Sequence, residues 1–263
     1  MPAAELSRLQ AQIQAISTQF NQPVDFIKSL LKLLDLYKDN NFHLGTVARM
    51  KSLIPTYHDP ALVLNELEVN LANLTRQFPS PALQIADQLW KENYFETRWL
   101  AVVILGNIAC PPVQPILDRL LIWIGPLEDN SLNNQCLSVG TRLLRKHCLN
   151  DWLSVVNAWL KNDDEEIKKI GLQAIQVIVG DPDFENFPLI YSALQPVVTD
   201  VGVATQKELF NTIEILAQRT PLETATFLHA SLTQNKNQQM LILIRRCLPL
   251  FEKSKQESIK VDL

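Results

Sequence analysis

Residues 89–110 read LWKENYFETRWLAVVILGNIAC, and the pattern within them decides the fold. The first part is polar and aromatic, whereas from Trp99 onward the chain is an almost unbroken apolar run that ends at Pro111 and Pro112. Proline lacks the N–H that a helix interior requires, so the run is a helix stopped there. The stretch as a whole reads as a short helix, a tight turn near Asn93 and a second helix buried on most of its surface. Helices joined this closely pack antiparallel, which makes the unit a helical hairpin.

Similar units recur on both sides. Upstream, 5–20 repeats Leu6, Leu9, Ile13 and Ile16 at helical spacing, and 23–37 does the same with Phe26, Leu30, Leu33 and Leu34. A third segment follows the polar break 38–41 and runs to Leu53. Asp59-Pro60, an N-cap followed by proline in the first turn, then opens a helix ending near Phe78, with Pro79 and Pro81 punctuating its end. Downstream, the spacing predicts helices over 113–124, from a cap at Asn130 or Ser131 to His147, from Asn150 or Asp151 to Leu160, and from Asp163 to Gly180. Four more are expected over 184–198, 203–219, 221–233 and 237–251. No stretch alternates as a strand would. Helices of about 12 to 18 residues, paired roughly every 35 to 45 residues, have the period of HEAT and armadillo-like repeats. The expected fold is all-α, a HEAT-like α-solenoid in which antiparallel helix pairs wind into a right-handed superhelix. It forms one domain over 1–253, less regular over 1–80, with 254–263 a frayed tail.

Composition narrows the function classes. The 263 residues carry a net charge of −4, with an isoelectric point near 5.6, so nucleic acid or an anionic membrane would have to be met by a local basic patch. Cys110, Cys136, Cys148 and Cys247 lie far apart in apolar surroundings and lack the paired spacing of a zinc site or a disulfide framework, so four buried thiols are expected. The N-terminus has no signal-peptide pattern and no apolar run reaches membrane-spanning length, which implies a cytoplasmic protein with no membrane partner. His43, His58, His147 and His229 share no helix face with a cysteine or carboxylate at ligand spacing, so neither a metal nor another cofactor is expected. A monomer is the expected state.

In three helices a basic residue stands five positions past the expected cap and leads an apolar run: Arg98-Trp99-Leu100-Ala101, Lys168-Lys169-Ile170-Gly171 and Lys207-Glu208-Leu209-Phe210. Stacked repeats would align such positions into a stripe. Two readings stay open: the stripe contacts phosphates, or each cation pairs with an acid of the neighbouring repeat. Arg142, Arg145, Lys146 and His147 lie close to a helix end, where cations favour the helix dipole, so they are a solvated terminus or a backbone-binding patch. The acidic run 163–166 is explained by capping. Trp152 and Trp159, seven apart, read as core with Val155 and Val156, which leaves Trp90 as the candidate cleft aromatic.

The segment LWKENYFETRWLAVVILGNI resembles the central hairpin of the AlkD-like DNA alkylation repair family of HEAT-repeat glycosylases. In that family a helix ending in Leu-Trp precedes a Glu-x-Arg-aromatic-Leu-Ala start, here Glu96-Thr97-Arg98-Trp99-Leu100-Ala101, and HLGTVARMKSLI from His43 is similar to a second family segment. The resemblance implies a concave surface that grips the DNA backbone and an aromatic cleft where a catalytic Asp promotes loss of an alkylated base. An ungapped match places the family's Trp-Asp-Leu-Val-Asp stretch on Asn130-Ser131-Leu132-Asn133-Asn134, so the acid's position holds Asn134. An amide cannot carry the negative charge that stabilises a developing oxocarbenium ion, nor activate water. With the match shifted, Glu128 or Asp129 supplies the carboxylate. The family's later Trp-Glu-Arg-Arg-Ile-Ala falls on Glu166-Ile167-Lys168-Lys169-Ile170-Gly171, where the charge is kept and the aromatic is not.

Three functional readings follow. The first is a binding protein related to AlkD-like repair proteins, lacking the glycosylase acid and taking DNA or another partner through Arg98, Arg142, Arg145, Lys168, Lys169, Lys207 and Trp90. The second is an active alkylpurine DNA glycosylase. The third is a protein-interaction scaffold without nucleic acid, which the acidic isoelectric point favours.

Overall fold

The computed structural model describes residues 3–38, 54–58, 60–126, 129–234 and 238–252. The third segment to Leu53, the His43 motif, Asp59, Glu128 and the tail lie outside them. Every regular element among the described residues is a helix. The chain forms two compact units, Met1–Leu149 and Asn150–Leu263.

In the first unit, α1 (Ala3–Ser17) and α2 (Pro23–Tyr37) form the opening hairpin. Proline at the first position of α2 has no N–H to lose there, and Phe26, Ile27, Leu30, Leu33 and Leu34 bury one face. Next come α3 (Ala61–Gln77), α4 (Pro79–Lys91) and α5 (Phe95–Leu105). Pro79 and Pro81 open α4 rather than closing α3, because the first turn of a helix tolerates a missing donor. Residues expected to form a separate short helix are therefore the last turn of α4. Helices pack in consecutive pairs, α1 with α2, α3 with α4 and α4 with α5, and also on the helix two places on, α1 on α3, α2 on α4 and α3 on α5. That two-layer stacking is the HEAT-like arrangement of an all-α fold. Helix α5 is covered by α3, α4 and α7 (Asn130–Gln135), which is why its sequence is apolar on nearly every side.

After α6 (Gln114–Trp123), the single helix expected to His147 is broken into α7, a π-helical turn over Cys136–Gly140, and α8 (Arg142–His147). Two glycines locate the cause. A Cβ on Gly106 would collide with the Val139 carbonyl oxygen, and one on Gly140 would stand 3.3 Å from a Val102 methyl group, so the wide turn presses directly on the end of α5. Carbonyls of this turn accept from side chains: Leu137 from Thr141 Oγ1 at 2.5 Å, and both Leu137 and Ser138 from Arg145 Nη1 at 2.9 Å.

The expectation of four thiols is corrected here. Cys110 and Cys148 form a disulfide, 38 residues apart in sequence, linking the turn after α5 to the end of α8. That separation carries no motif, so only the fold brings the pair together. Cys136 and Cys247 are free and buried, and burial pushes the Cys247 thiol up to about 12, against the opposing pull of Arg246.

The second unit consists of α9 (Leu149–Leu160), α10 (Glu165–Val179), α11 (Phe187–Thr199), α12 (Gln206–Arg219), α13 (Pro221–Gln234) and α14 (Gln238–Cys247). Its packing repeats the two-layer order, α10 on α12, α12 on α14 and α11 on α13. Asp164 rather than Asp163 caps α10, its carboxylate accepting the Glu166 N–H at 2.8 Å. Trp152 is buried and meets Trp159 edge to face at 5.4 Å, as their seven-residue spacing predicts. Arg219 at the end of α12 donates to the carbonyls of Val179, Pro182 and Phe184, fixing the 180–186 connection. No helix among the described residues is long and apolar enough to cross a membrane.

Candidate functional site

The Glu-x-Arg-Trp motif at the start of α5 is built into the core of the first unit. Glu96, 3% exposed, accepts the backbone N–H groups of Tyr57 and His58, each at 3.0 Å. Phe95 donates its N–H to the Pro55 carbonyl at 2.9 Å, and Tyr57 stacks on Tyr94 at 4.1 Å. Glu96 thus ties the 54–58 segment, where His58 takes a left-handed φ of 57°, to the helix start. Trp99 donates its indole N–H to Glu68 at 2.5 Å, and burial raises the Glu68 carboxyl above its ordinary range while the Trp99 bond opposes the rise.

Arg98 and Trp90 are brought together. The guanidinium carbon lies 5.2 Å from the Trp90 ring, and Trp90 is stacked on buried Trp123 at 4.4 Å with the planes 7° apart. Trp90 as a whole residue is half-buried.

Around Asn134, where the sequence reading expects the family acid, the side chains hold amides and a cap. Asn134 is exposed on α7, as is Asn130, while Asn133 is buried and donates to the Gly125 carbonyl at 2.8 Å. Asp129 is 7% exposed, and one of its carboxylate oxygens accepts the Ser131 and Leu132 N–H groups at 2.9 and 3.2 Å, the N-cap of α7. Arg145, one of the basic candidates, lies against the π-turn carbonyls already described and also reaches Thr141.

Arg142 behaves differently. Its Nη2 donates to Asn107 Oδ1 at 2.5 Å, and Arg76 Nη2, from the last turn of α3, donates to the same oxygen at 3.0 Å. Asn107 is 2% exposed and is held by its own Nδ2, which donates to the Val103 carbonyl at 2.8 Å. Both arginines are exposed, and among the described residues neither makes an ion pair. Sequence reasoning missed Arg76 and Asn107. The legible signal was Asn107 itself, a polar residue just past Gly106, which caps the apolar run of α5.

In the second unit, Lys168 lies 3.7 Å from Glu165 and Lys169 lies 2.6 Å from Glu166, both one turn away on α10. Charge pairing exists at these positions, but within one helix rather than with a neighbouring repeat, because the acidic cap supplies partners at the i, i+3 spacing. Lys207 on α12 is exposed and makes no ion pair among the described residues.

The sequence profile described as DNA alkylation repair enzyme matches residues 64–246. Two solved structures share the fold. AlkD2 from Streptococcus mutans superposes with a TM-score of 0.53 at 14% identity, covering 72% of this chain and 90% of that one. The protein smu.31 from Streptococcus mutans UA159 gives 0.51 at 15% identity, covering 72% and 92%. No curated protein matches the sequence.

Proposed function

The chain belongs to the DNA alkylation repair enzyme family, and from that premise we propose that it binds duplex DNA through basic side chains without excising the base at the family's usual acid position. The observation that carries the second half is Asn134, an exposed amide where the resemblance expects a carboxylate. Oxocarbenium-like charge needs a nearby anion, and a neutral amide supplies only a dipole. The nearby Asp129 is engaged by two N–H donors of α7, which orient it as a helix cap. Binding requires less: cations that can reach phosphates, for which Arg142 and Lys207 are exposed candidates with no acid partner among the described residues and Arg98 beside Trp90 adds a flat cationic and aromatic pair.

The test is a titration of fluorescent duplex DNA at stepped ionic strength. Affinity falling linearly on a log–log plot, with a slope set by the number of phosphates contacted, is expected. A second reading, the protein scaffold, draws on the intrahelical pairing of Lys168 and Lys169, which leaves fewer free cations. Absence of duplex binding at low salt would favour it and overturn the DNA reading.

A further inference from the structure

We propose that Arg76 and Arg142, converging on Asn107, form a clamp for one phosphate group, occupied by a backbone phosphate of duplex DNA. This rests on the DNA-binding reading above and names the contact within it.

Two guanidinium groups share a single neutral acceptor. Their Nη2 atoms, 3.0 and 2.5 Å from Asn107 Oδ1, stand no farther apart than the sum of those distances. Other arginines of the chain are engaged in other ways: Arg119 forks onto the Asp87 carboxylate at 2.6 and 2.7 Å, and Arg145 and Arg219 lie on main-chain carbonyls. At Arg76 and Arg142 the described residues offer no negative charge, only the Asn107 amide and, for Arg76 Nη1, the Asn73 amide at 3.5 Å. Each guanidinium has five N–H donors, so most remain for a ligand. Two like charges held this close are satisfied by a doubly contacted oxyanion, and the guanidinium fork matches the edge of a phosphate.

The arrangement is also preorganised. Asn107 is buried and locked by its bond to Val103, so its oxygen is a fixed anchor. Helix α8 is pinned at both ends to the turn after α5, through Arg142 to Asn107 and through Cys148 to Cys110. Lys146, exposed one turn beyond Arg142, lies on the same helix face and adds a cation beside the pair. A site whose cations are already ordered loses less entropy on binding.

The experiment measures duplex affinity against salt for wild type, Arg76→Ala, Arg142→Ala, the double variant and Arg142→Lys. Both arginines are exposed, so folding is expected to survive, and circular dichroism verifies it. Each alanine variant should weaken binding about tenfold while lowering the salt slope by less than one, because the other arginine still holds the shared phosphate; the double variant should lower the slope by about one and lose less affinity than the product of the two. Arg142→Lys, which keeps the charge but not the fork, should keep the slope while losing affinity. Wild-type affinity in both single variants overturns the clamp and leaves the DNA reading standing. A wild type that ignores duplex, yet is stabilised by millimolar inorganic phosphate only when both arginines are present, overturns DNA as the occupant. Neither duplex binding nor phosphate stabilisation overturns clamp and DNA reading together.

Discussion

Replacing Gly106 with alanine tests the packing that organises the first unit. The added Cβ would collide with the Val139 carbonyl oxygen and stand 2.9 Å from its carbon, both main-chain atoms of the π-turn. No rotamer change can relieve that contact, so the end of α5 and the turn must separate. Overpacking of a tight core costs about 1–3 kcal/mol, and a rigid backbone obstacle places this case near about 3. Alanine returns up to about 1 kcal/mol of helix propensity at this right-handed C-cap, leaving a net loss of about 2 kcal/mol or more. For a chain of this size each kcal/mol moves the melting temperature by about 2–4 °C, so a drop of roughly 4–8 °C is expected by calorimetry. Gly125→Ala is the control: a Cβ there meets nothing within 4 Å, and the melting temperature should stay level or rise slightly. Equal melting temperatures for Gly106→Ala and wild type would refute the close approach of α5 and the π-turn.

Other outcomes follow from single interactions. Breaking the Cys110–Cys148 bond, by Cys148→Ser or by reductant, opens a loop of 38 residues, worth about 4 kcal/mol on a chain-entropy estimate; an unchanged urea midpoint under reductant would contradict the link. Glu96→Ala strands the Tyr57 and His58 N–H groups, at about 1–3 kcal/mol each, and should speed hydrogen exchange at those two amides, whereas unaltered exchange would discard Glu96 as their anchor. The Glu68 carboxyl is raised in the folded chain, so the folded state binds the proton more tightly. Its contribution is present below the ordinary carboxyl range and is lost as pH rises through the raised value. Glu68→Gln should therefore gain stability over wild type as pH rises through that window, and a pH-independent difference would contradict the shift.

Much of the helix order was legible because it rests on local chemistry. Helix α2 starts and ends where its proline and apolar spacing place it, and α5 is buried on the sides its composition requires. What the sequence hid depends on contacts between distant residues. The break between α7 and α8 comes from Gly106 and Gly140 meeting across the fold, and a helical pattern from 130 to 147 carries no trace of it. The disulfide is hidden for the same reason. At the site, the pairing of Trp90 with Arg98 came from residues singled out by motif, whereas Arg145 looked free in sequence because its acceptors are carbonyls. Arg76 carried no motif and is defined only by its convergence with Arg142 on Asn107.

The most direct measurement is single-turnover release of methylated base from duplex DNA, with the protein in excess and the duplex shown to be bound in the same tube. Bound duplex with no release above the uncatalysed rate is the result the proposed reading expects, since that reading takes Asn134 to stand where the family carries its carboxylate. Release that saturates with protein would contradict it and would place a working acid in the chain, with Asp129 and Glu128 the next residues to mutate.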